Sequence, residues 1–118
     1  MRRCYLLIML LLYSGISSAA DPLLVARIIV CESRSRINVC HADVDDALYG
    51  PSCGIAQFKK PTFEWMAKMA IKQGAWDWNL GRPSWMDYKQ QVLLLNWALD
   101  NGLGWNWTCW HMIKGEVK

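Results

Sequence analysis

The sequence has no Cys-x-x-Cys pair and contains only two histidines and three glutamates, the latter at positions 32, 64 and 116. Zinc sites usually take their ligands from tight cysteine pairs, so this class of site is disfavoured. No segment alternates convincingly between apolar and polar residues, which is the pattern of a half-buried strand. Repeats, low-complexity tracts and linkers are absent as well. The absence of alternating segments, repeats and linkers favours one all-α domain.

The N-terminal residues have the pattern of a secretory signal peptide. Arg2 and Arg3 form a basic start, residues 5–13 are an almost unbroken apolar run, and small residues precede Asp21. This pattern predicts a signal peptide over 1–20 and a mature domain over 21–118. The alternative is an uncleaved anchor, but the apolar run is shorter than the roughly 20 residues that span a membrane. We therefore expect a secreted or periplasmic monomer without stable membrane insertion.

The net positive charge is small once the signal peptide is removed. The full chain has a net charge of +3, and two of its 13 basic residues, Arg2 and Arg3, leave with the signal. The mature chain then has 11 basic and 10 acidic side chains, a net charge of +1. A nucleic-acid binder needs a concentrated basic face, so we expect no nucleic-acid partner. No motif indicates a cofactor.

Four cysteines remain in the mature chain: Cys31, Cys40, Cys53 and Cys109. An even number in a small exported domain predicts two disulfides, for which three connectivities exist. Chain order favours Cys40–Cys53 and Cys31–Cys109. The alternative is a metal site that adds His41 and His111, but the spacing disfavours it, and we expect no bound metal.

Capping residues and apolar periodicity predict four helices. The first begins at Asp21-Pro22, the second runs from Pro61 to Gly74, the third runs from a Ser84–Asp87 capping box to Gly102, and the fourth covers about 108–114. Residues 34–53 and 75–83 are predicted to be loops. The apolar stripe of the first helix consists of Val25, Ile28, Ile29 and Glu32. The predicted stripe of the second helix is Phe63, Met66, Ala67, Ala70 and Ile71, and that of the third is Tyr88, Val92, Leu95 and Leu99.

Glu32 is therefore placed near the C-terminal end of the first helix, on its apolar stripe. The negative end of the helix dipole and burial both disfavour a carboxylate and should raise its pKa. A carboxylic acid that stays protonated near neutral pH can protonate a glycosidic oxygen. The alternative is an ion pair with Arg34 or Arg36, which would keep Glu32 ionised.

An ordered set of motifs extends over about residues 23–111. Its members are Cys31-Glu32-Ser33, Gly54-Ile55-Ala56-Gln57-Phe58, Pro61-Thr62-Phe63, Gln91, and Gly102-Leu103-Gly104-Trp105 followed by Thr108-Cys109. This set resembles the small lysozyme-like domain of soluble lytic transglycosylases and resuscitation-promoting factors. The resemblance implies a lysozyme-like fold and lends support to the Cys31–Cys109 bridge.

The same resemblance implies an activity on the cell wall. Its substrate would be the β-1,4 bond between N-acetylmuramic acid and N-acetylglucosamine in the glycan strands of peptidoglycan. Glu32 matches the acid that protonates the leaving oxygen and then, as a base, closes a 1,6-anhydro ring without water. Gln57 matches a residue of the groove wall, Gly54 is expected to allow close backbone approach, and the Ser33 hydroxyl is expected to support the helix end.

Some residues depart from the family pattern. Arg34-Ser35-Arg36 stands where the family usually has a small residue, and Cys53 stands where many members have serine. The Ala-Tyr-Asn motif of larger enzymes is absent, so Trp97 or Tyr49 would have to complete the groove wall.

The mature chain contains eight tryptophans. Those in helical patterns, Trp65, Trp85 and Trp97, are predicted to fill the core. The loop tryptophans can either stack on pyranose rings or fill the core, and they are Trp76, Trp78, Trp105 and Trp107.

Two other functions stay open. A non-catalytic peptidoglycan-binding module would keep the groove with Glu32 as polar lining, and the arginines beside Glu32 favour it because an Arg–Glu pair would keep the acid ionised. A hydrolysing lysozyme would need a second carboxylate, for which Asp43, Asp45 and Asp46 are the candidates.

Overall fold

The computed structural model describes residues 21–41 and 46–116. Its α-helices are α1 (Pro22–Ser33), α2 (Asp46–Tyr49), α3 (Lys60–Lys72), α4 (Tyr88–Asp100) and α5 (Thr108–Glu116). Its strands are β1 (Cys40–His41), β2 (Ser52–Cys53) and β3 (Phe58–Lys59), and 3-10 turns cover Trp78–Leu80 and Gly104–Asn106. The predicted signal peptide lies outside the described residues. Within them, no helix has the length and apolar character that crossing a membrane requires.

Capping side chains determine where two of the long helices begin. Asp21 caps α1 by accepting a hydrogen bond from the backbone N–H of Leu23, and Pro22 follows at the first helical position, as predicted. The predicted start of α4 at Ser84 is wrong. Asp87 is the N-cap and accepts from the N–H of Gln90, so the helix begins at Tyr88.

The all-α prediction misses a small antiparallel sheet with the strand order β1-β2-β3. Cys40 is paired with Cys53 across β1 and β2, and Cys53 is paired with Phe58 across β2 and β3. Each strand has only two residues, which is too short to leave a period-two pattern in the sequence. The short α2 also lies within the predicted loop 34–53.

The core lies where α1, α3 and α4 meet, and the 3-10 turn before α5 also contacts α4. The predicted stripes of α1 and α3 are largely confirmed, although Ile71 is exposed. In α4, Leu95 is fully buried and Val92 and Leu99 pack against the core, as predicted. Tyr88 is exposed, and the buried face also includes Gln91 and Leu94. Trp97 is buried, as predicted, but the prediction for Trp65 is wrong because its ring is exposed on α3.

Two disulfides connect the parts of this small domain. They join Cys31 to Cys109 and Cys40 to Cys53, which is the predicted pairing, at sequence separations of 78 and 13 residues. On the chain-entropy model they stabilise the fold by about 4.5 and about 3 kcal/mol respectively. The bridges use all four sulfur atoms that the zinc alternative would need.

The buried side chain of Gln91 on α4 shapes the turn between β2 and β3. Its Oε1 accepts from the N–H of Ala56, and its Nε2 donates to the carbonyls of Cys53 and Trp85. Gly54 has a φ of +89°, and a Cβ at this position would lie 2.3 Å from Gln91 Nε2. The turn therefore requires glycine both for its backbone conformation and for space.

We expect Gly54→Ala to destabilise the domain by roughly 3 kcal/mol, because it combines left-handed strain with overpacking. Gly74→Ala is the matched control. Its φ of +73° is similar, but no atom lies within 4 Å of a Cβ there, so about 1 kcal/mol is expected. Urea unfolding with the disulfides intact measures both losses. Equal losses would show that contact with Gln91 is not the limiting constraint.

Candidate functional site

A groove of about 590 Å³, called here the Glu32 groove, runs beside the end of α1. Its other walls come from Tyr49 at the end of α2, from the small sheet and its turn, and from residues 105–108. The elements that meet here are distant in sequence, and the two disulfides and the Gln91 amide hold them together.

Glu32 is half-buried and lies between two helix ends. It is the penultimate residue of α1, and its Oε1 accepts a hydrogen bond of 3.1 Å from the N–H of Cys109 in the first turn of α5. Cys109 is also the disulfide partner of Cys31. A disulfide and a hydrogen bond therefore both join the end of α1 to the start of α5. Together they fix the position of the Glu32 carboxyl relative to α5.

Burial raises the pKa of Glu32 above the ordinary value of a glutamate, because the charged form loses solvation. The Cys109 N–H and the charge of His41 both act in the opposite direction and lower the pKa, but by less. Glu32 therefore holds its proton to a higher pH than an exposed glutamate does. This is the property that the sequence predicted from the apolar stripe.

The arginines that follow Glu32 do not pair with it. Arg36 donates from Nε to the carbonyl oxygen of Ser33, at 3.2 Å, and Arg34 ends α1 in a left-handed conformation with a φ of 54°. Neither guanidinium is among the causes that shift the pKa of Glu32. The structure thus favours burial over the predicted alternative of an Arg–Glu ion pair.

Ser33 joins the helix that carries the acid to the turn that faces it. Its hydroxyl is buried and lies 2.6 Å from the carbonyl oxygen of Ile55 and 3.1 Å from that of Ile29. This confirms that the Ser33 hydroxyl supports the helix end.

Gln57 lines the groove, but the N–H groups and the oxygen of its side-chain amide already have hydrogen-bond partners within the protein. Its Nε2 donates to the carbonyls of Val39 and Gly54, and its Oε1 lies 2.8 Å from Nδ1 of His41. Its backbone has a positive φ of 54°, which is uncommon for a residue with a side chain. These bonds hold Gln57 as part of the wall.

Two exposed aromatic rings border the groove. Tyr49 is 53% exposed and Trp105 is 57% exposed, and both line it, as proposed from the sequence. The carbonyl of Trp105 is 2.9 Å from Nε2 of His111. The buried Trp107 also lines the groove, where it donates from Nε1 to the carbonyl of Ala56 and packs edge-on against Phe58. Of the loop tryptophans, Trp105 and Trp107 line the groove, the first exposed and the second buried.

Two of the residues predicted from the sequence do not line the groove. Trp97 is 7% exposed and donates from Nε1 to Gln73, so Tyr49 rather than Trp97 completes the wall. Gly54 lies behind the wall, where the side chain that approaches it closely is that of Gln91.

Several polar groove residues were missed by the sequence analysis. Ser52, Lys59, Thr62, Asn106 and Thr108 all line the groove. Lys59 donates from Nζ to the carbonyl of Gly50, which ties the end of α2 to β3. Their proximity in sequence to Gln57 and Trp105 is the only signal that could have found them, because the two-residue strands leave no pattern.

Comparisons of this chain with protein-family models, curated proteins and solved structures found no match. The resemblance to lysozyme-like domains therefore rests on the sequence motifs alone.

We expect the double substitution Arg34→Gly and Arg36→Asn to leave the titration of Glu32 unchanged, because burial rather than the guanidinium groups governs its pKa. Carboxyl ¹³C NMR of glutamate-labelled protein measures this directly, since the chain has only three glutamates to resolve. If the midpoint instead rises in the double variant, the arginines hold Glu32 ionised and the present assignment is wrong.

Proposed function

We propose that this chain is an exported lytic transglycosylase that cleaves the β-1,4 bond between N-acetylmuramic acid and N-acetylglucosamine in peptidoglycan. One observation carries the proposal: Glu32 is a half-buried carboxyl with a raised pKa in a groove that exposed aromatic rings border. A protonated carboxyl is the donor that glycosidic cleavage needs. Aromatic faces provide apolar area on which pyranose rings can stack.

The reaction would use Glu32 twice. First, the carboxyl gives its proton to the glycosidic oxygen while the bond from that oxygen to C1 of the muramyl residue breaks. Second, the resulting carboxylate takes the proton of the muramyl 6-hydroxyl as O6 bonds to C1. The acid is regenerated and no water is consumed. The first step requires the protonated form, so activity should fall as the pH rises through the pKa of Glu32.

A non-catalytic wall-binding module is the first alternative. In such a module Glu32 would be polar lining of the groove, and an ion pair with a neighbouring arginine would support it, but neither Arg34 nor Arg36 contacts the carboxyl. That observation favours the enzyme over the binding module.

A hydrolysing lysozyme is the second alternative and needs a second carboxylate. Of the groove residues that the structure describes, Glu32 is the one carboxylate. Asp43, Asp45 and the side chain of Asp46 lie outside the described residues. Mass analysis of the muropeptides released from purified peptidoglycan separates the reactions. Anhydro products, lighter by one water, indicate transglycosylation, and reducing ends indicate hydrolysis.

We expect Glu32→Gln to lower the rate of muropeptide release at least about a hundredfold, because it removes the proton donor. The amide oxygen can still accept from the Cys109 N–H, so the domain should stay folded. Glu64→Gln is the matched control, since Glu64 is an exposed residue of α3 and lies outside the groove. Release at the wild-type rate from the Glu32 variant would refute the catalytic assignment, whereas unchanged sedimentation with peptidoglycan would show that binding is kept.

We expect Trp105→Ala to weaken binding to glycan strands by roughly tenfold, in the range for loss of one well-packed aromatic contact. Trp78→Ala is the control, because Trp78 is similarly exposed at 60% but does not line the groove. Co-sedimentation with purified peptidoglycan, measured in the Glu32→Gln background to prevent cleavage, compares the two. Equal losses would show that stacking on Trp105 does not position the sugar.

A further inference from the structure

The segment that carries Trp105 is fixed at one end by a buried ring. It is the 3-10 turn Gly104–Asn106, which lies between α4 and α5. The next residue, Trp107, is 3% exposed, and its Nε1 donates to the carbonyl of Ala56. The Trp105 indole, in contrast, is largely exposed and borders the Glu32 groove. Burial therefore fixes Trp107, whereas the direction of the Trp105 ring depends on how its backbone is held.

Two aromatic side chains of α5 hold that backbone. Nε2 of His111 lies 2.9 Å from the carbonyl oxygen of Trp105. The indole of Trp110 lies against Gly104, where a Cβ would be 2.5 Å from Trp110 Nε1. The Trp110 and His111 rings meet edge-on, with their centroids 4.9 Å apart. Helix α5 thus supports the turn at two successive residues, Gly104 and Trp105.

The acceptor determines which atom donates in the bond between His111 and Trp105. A carbonyl oxygen only accepts, so Nε2 of His111 carries a hydrogen. Nε2 carries one in the imidazolium form as well as in this neutral tautomer. His111 can therefore support Trp105 whether or not its ring is charged.

The same part of α5 also holds the acid. The Cys109 N–H donates to Glu32 Oε1, and Cys109 is bonded to Cys31. His111 follows Cys109 by two residues on the same helix. The start of α5 therefore contacts both the acid, through Cys109, and the segment that bears the exposed ring, through His111.

We propose that His111 is a positioning residue for the binding of glycan strands: its Nε2–H holds the Trp105 backbone, so that the exposed indole is in place beside the groove before a sugar ring stacks on it. The inference rests on the proposed function for the identity of the ligand, but the effect of His111 on Trp105 belongs to the free protein. His111 is not part of the groove lining, so it acts through Trp105.

Loss of this hydrogen bond should weaken binding more than it weakens the fold. The contact is exposed, so water can replace the missing donor. The Trp105 segment would then be less ordered in the free protein, and a glycan strand would have to order it on binding. Ordering of this kind lowers affinity by about fivefold. The chemical step should be unchanged, because Glu32 keeps its contact with Cys109.

The first experiment measures binding to purified glycan strands in the Glu32→Gln background, which prevents cleavage. His111→Ala should raise the dissociation constant about fivefold. His111→Gln should restore most of this loss, because its amide N–H can donate to the same carbonyl. Met112→Ala is the matched control, since Met112 is the next residue of α5, is 57% exposed and does not line the groove. Equal affinities of His111→Ala and the control, or a His111→Gln variant as weak as His111→Ala, would overturn the proposal.

The Trp105→Ala variant distinguishes action through the ring from a direct contact with the glycan. Adding His111→Ala to Trp105→Ala should change the dissociation constant by less than about twofold, because the ring that His111 orients is already gone. A full further loss in the double variant would mean that His111 binds the glycan independently of Trp105. That result would refute the positioning role.

NMR of the free protein tests the structural step without any ligand. The order parameter of the Trp105 indole N–H, from ¹⁵N relaxation, should be lower in His111→Ala than in wild type and restored in His111→Gln. The Trp107 indole is the internal reference, because its hydrogen bond to Ala56 does not involve His111. Unchanged order at Trp105 in His111→Ala would contradict the proposal.

The kinetics of muropeptide release separate this inference from the proposed function. With Glu32 intact, His111→Ala should raise KM and leave kcat unchanged. A lower kcat with an unchanged KM would show that His111 acts on the chemical step, which would overturn its role in binding. Wild-type release by Glu32→Gln would refute the proposed function, whereas the NMR and binding results decide the role of His111 on their own.

Discussion

The buried amide of Gln91 is the interaction on which the shape of the groove depends. It binds the backbone on both sides of the Gly54 turn and also holds the carbonyl of Trp85. A buried amide with all its partners satisfied rigidifies its surroundings, whereas an unsatisfied one would be costly. From this turn, Ile55 accepts from Ser33 beside the acid and Ala56 accepts from Trp107 in the wall. One side chain on α4 thus holds the turn that contacts both Ser33 and Trp107.

The protonation of Glu32 reflects a balance between burial and weak opposing contacts. Burial favours the neutral acid, and it outweighs the Cys109 N–H and the His41 charge. The helix ends act in opposite directions as well, since the C-terminus of α1 disfavours a carboxylate and the N-terminus of α5 favours one. A stronger donor or a true ion pair would leave an ionised group that cannot protonate anything. These contacts are weak enough that the pKa of Glu32 stays raised.

The helices and bridges could be predicted from the sequence because their signals are local or countable. Asp21-Pro22 marks the start of α1, and four cysteines in a domain expected to be exported predict two disulfides. The partial burial of Glu32 was predictable from its place on an apolar stripe. The sheet was not predictable, because strands of two residues show no periodicity. The hydrogen bond between His41 and Gln57 was not predictable either, because the two residues lie 16 positions apart in sequence. Trp97 was misjudged for the groove because a helical tryptophan suits both a core and a wall.

The bond between Cys31 and Cys109 also separates the site from any opening of the far end of α5. Helix ends fray more readily than helix interiors, and the bridge lies in the first turn of α5, at the opposite end from Glu116. The bridge enters α5 at its second residue, so the rest of that helix can exchange its amide protons with solvent while the Cys109 N–H stays against Glu32. Local opening of the helix end and loss of the acid's geometry are therefore different events, with different free energies.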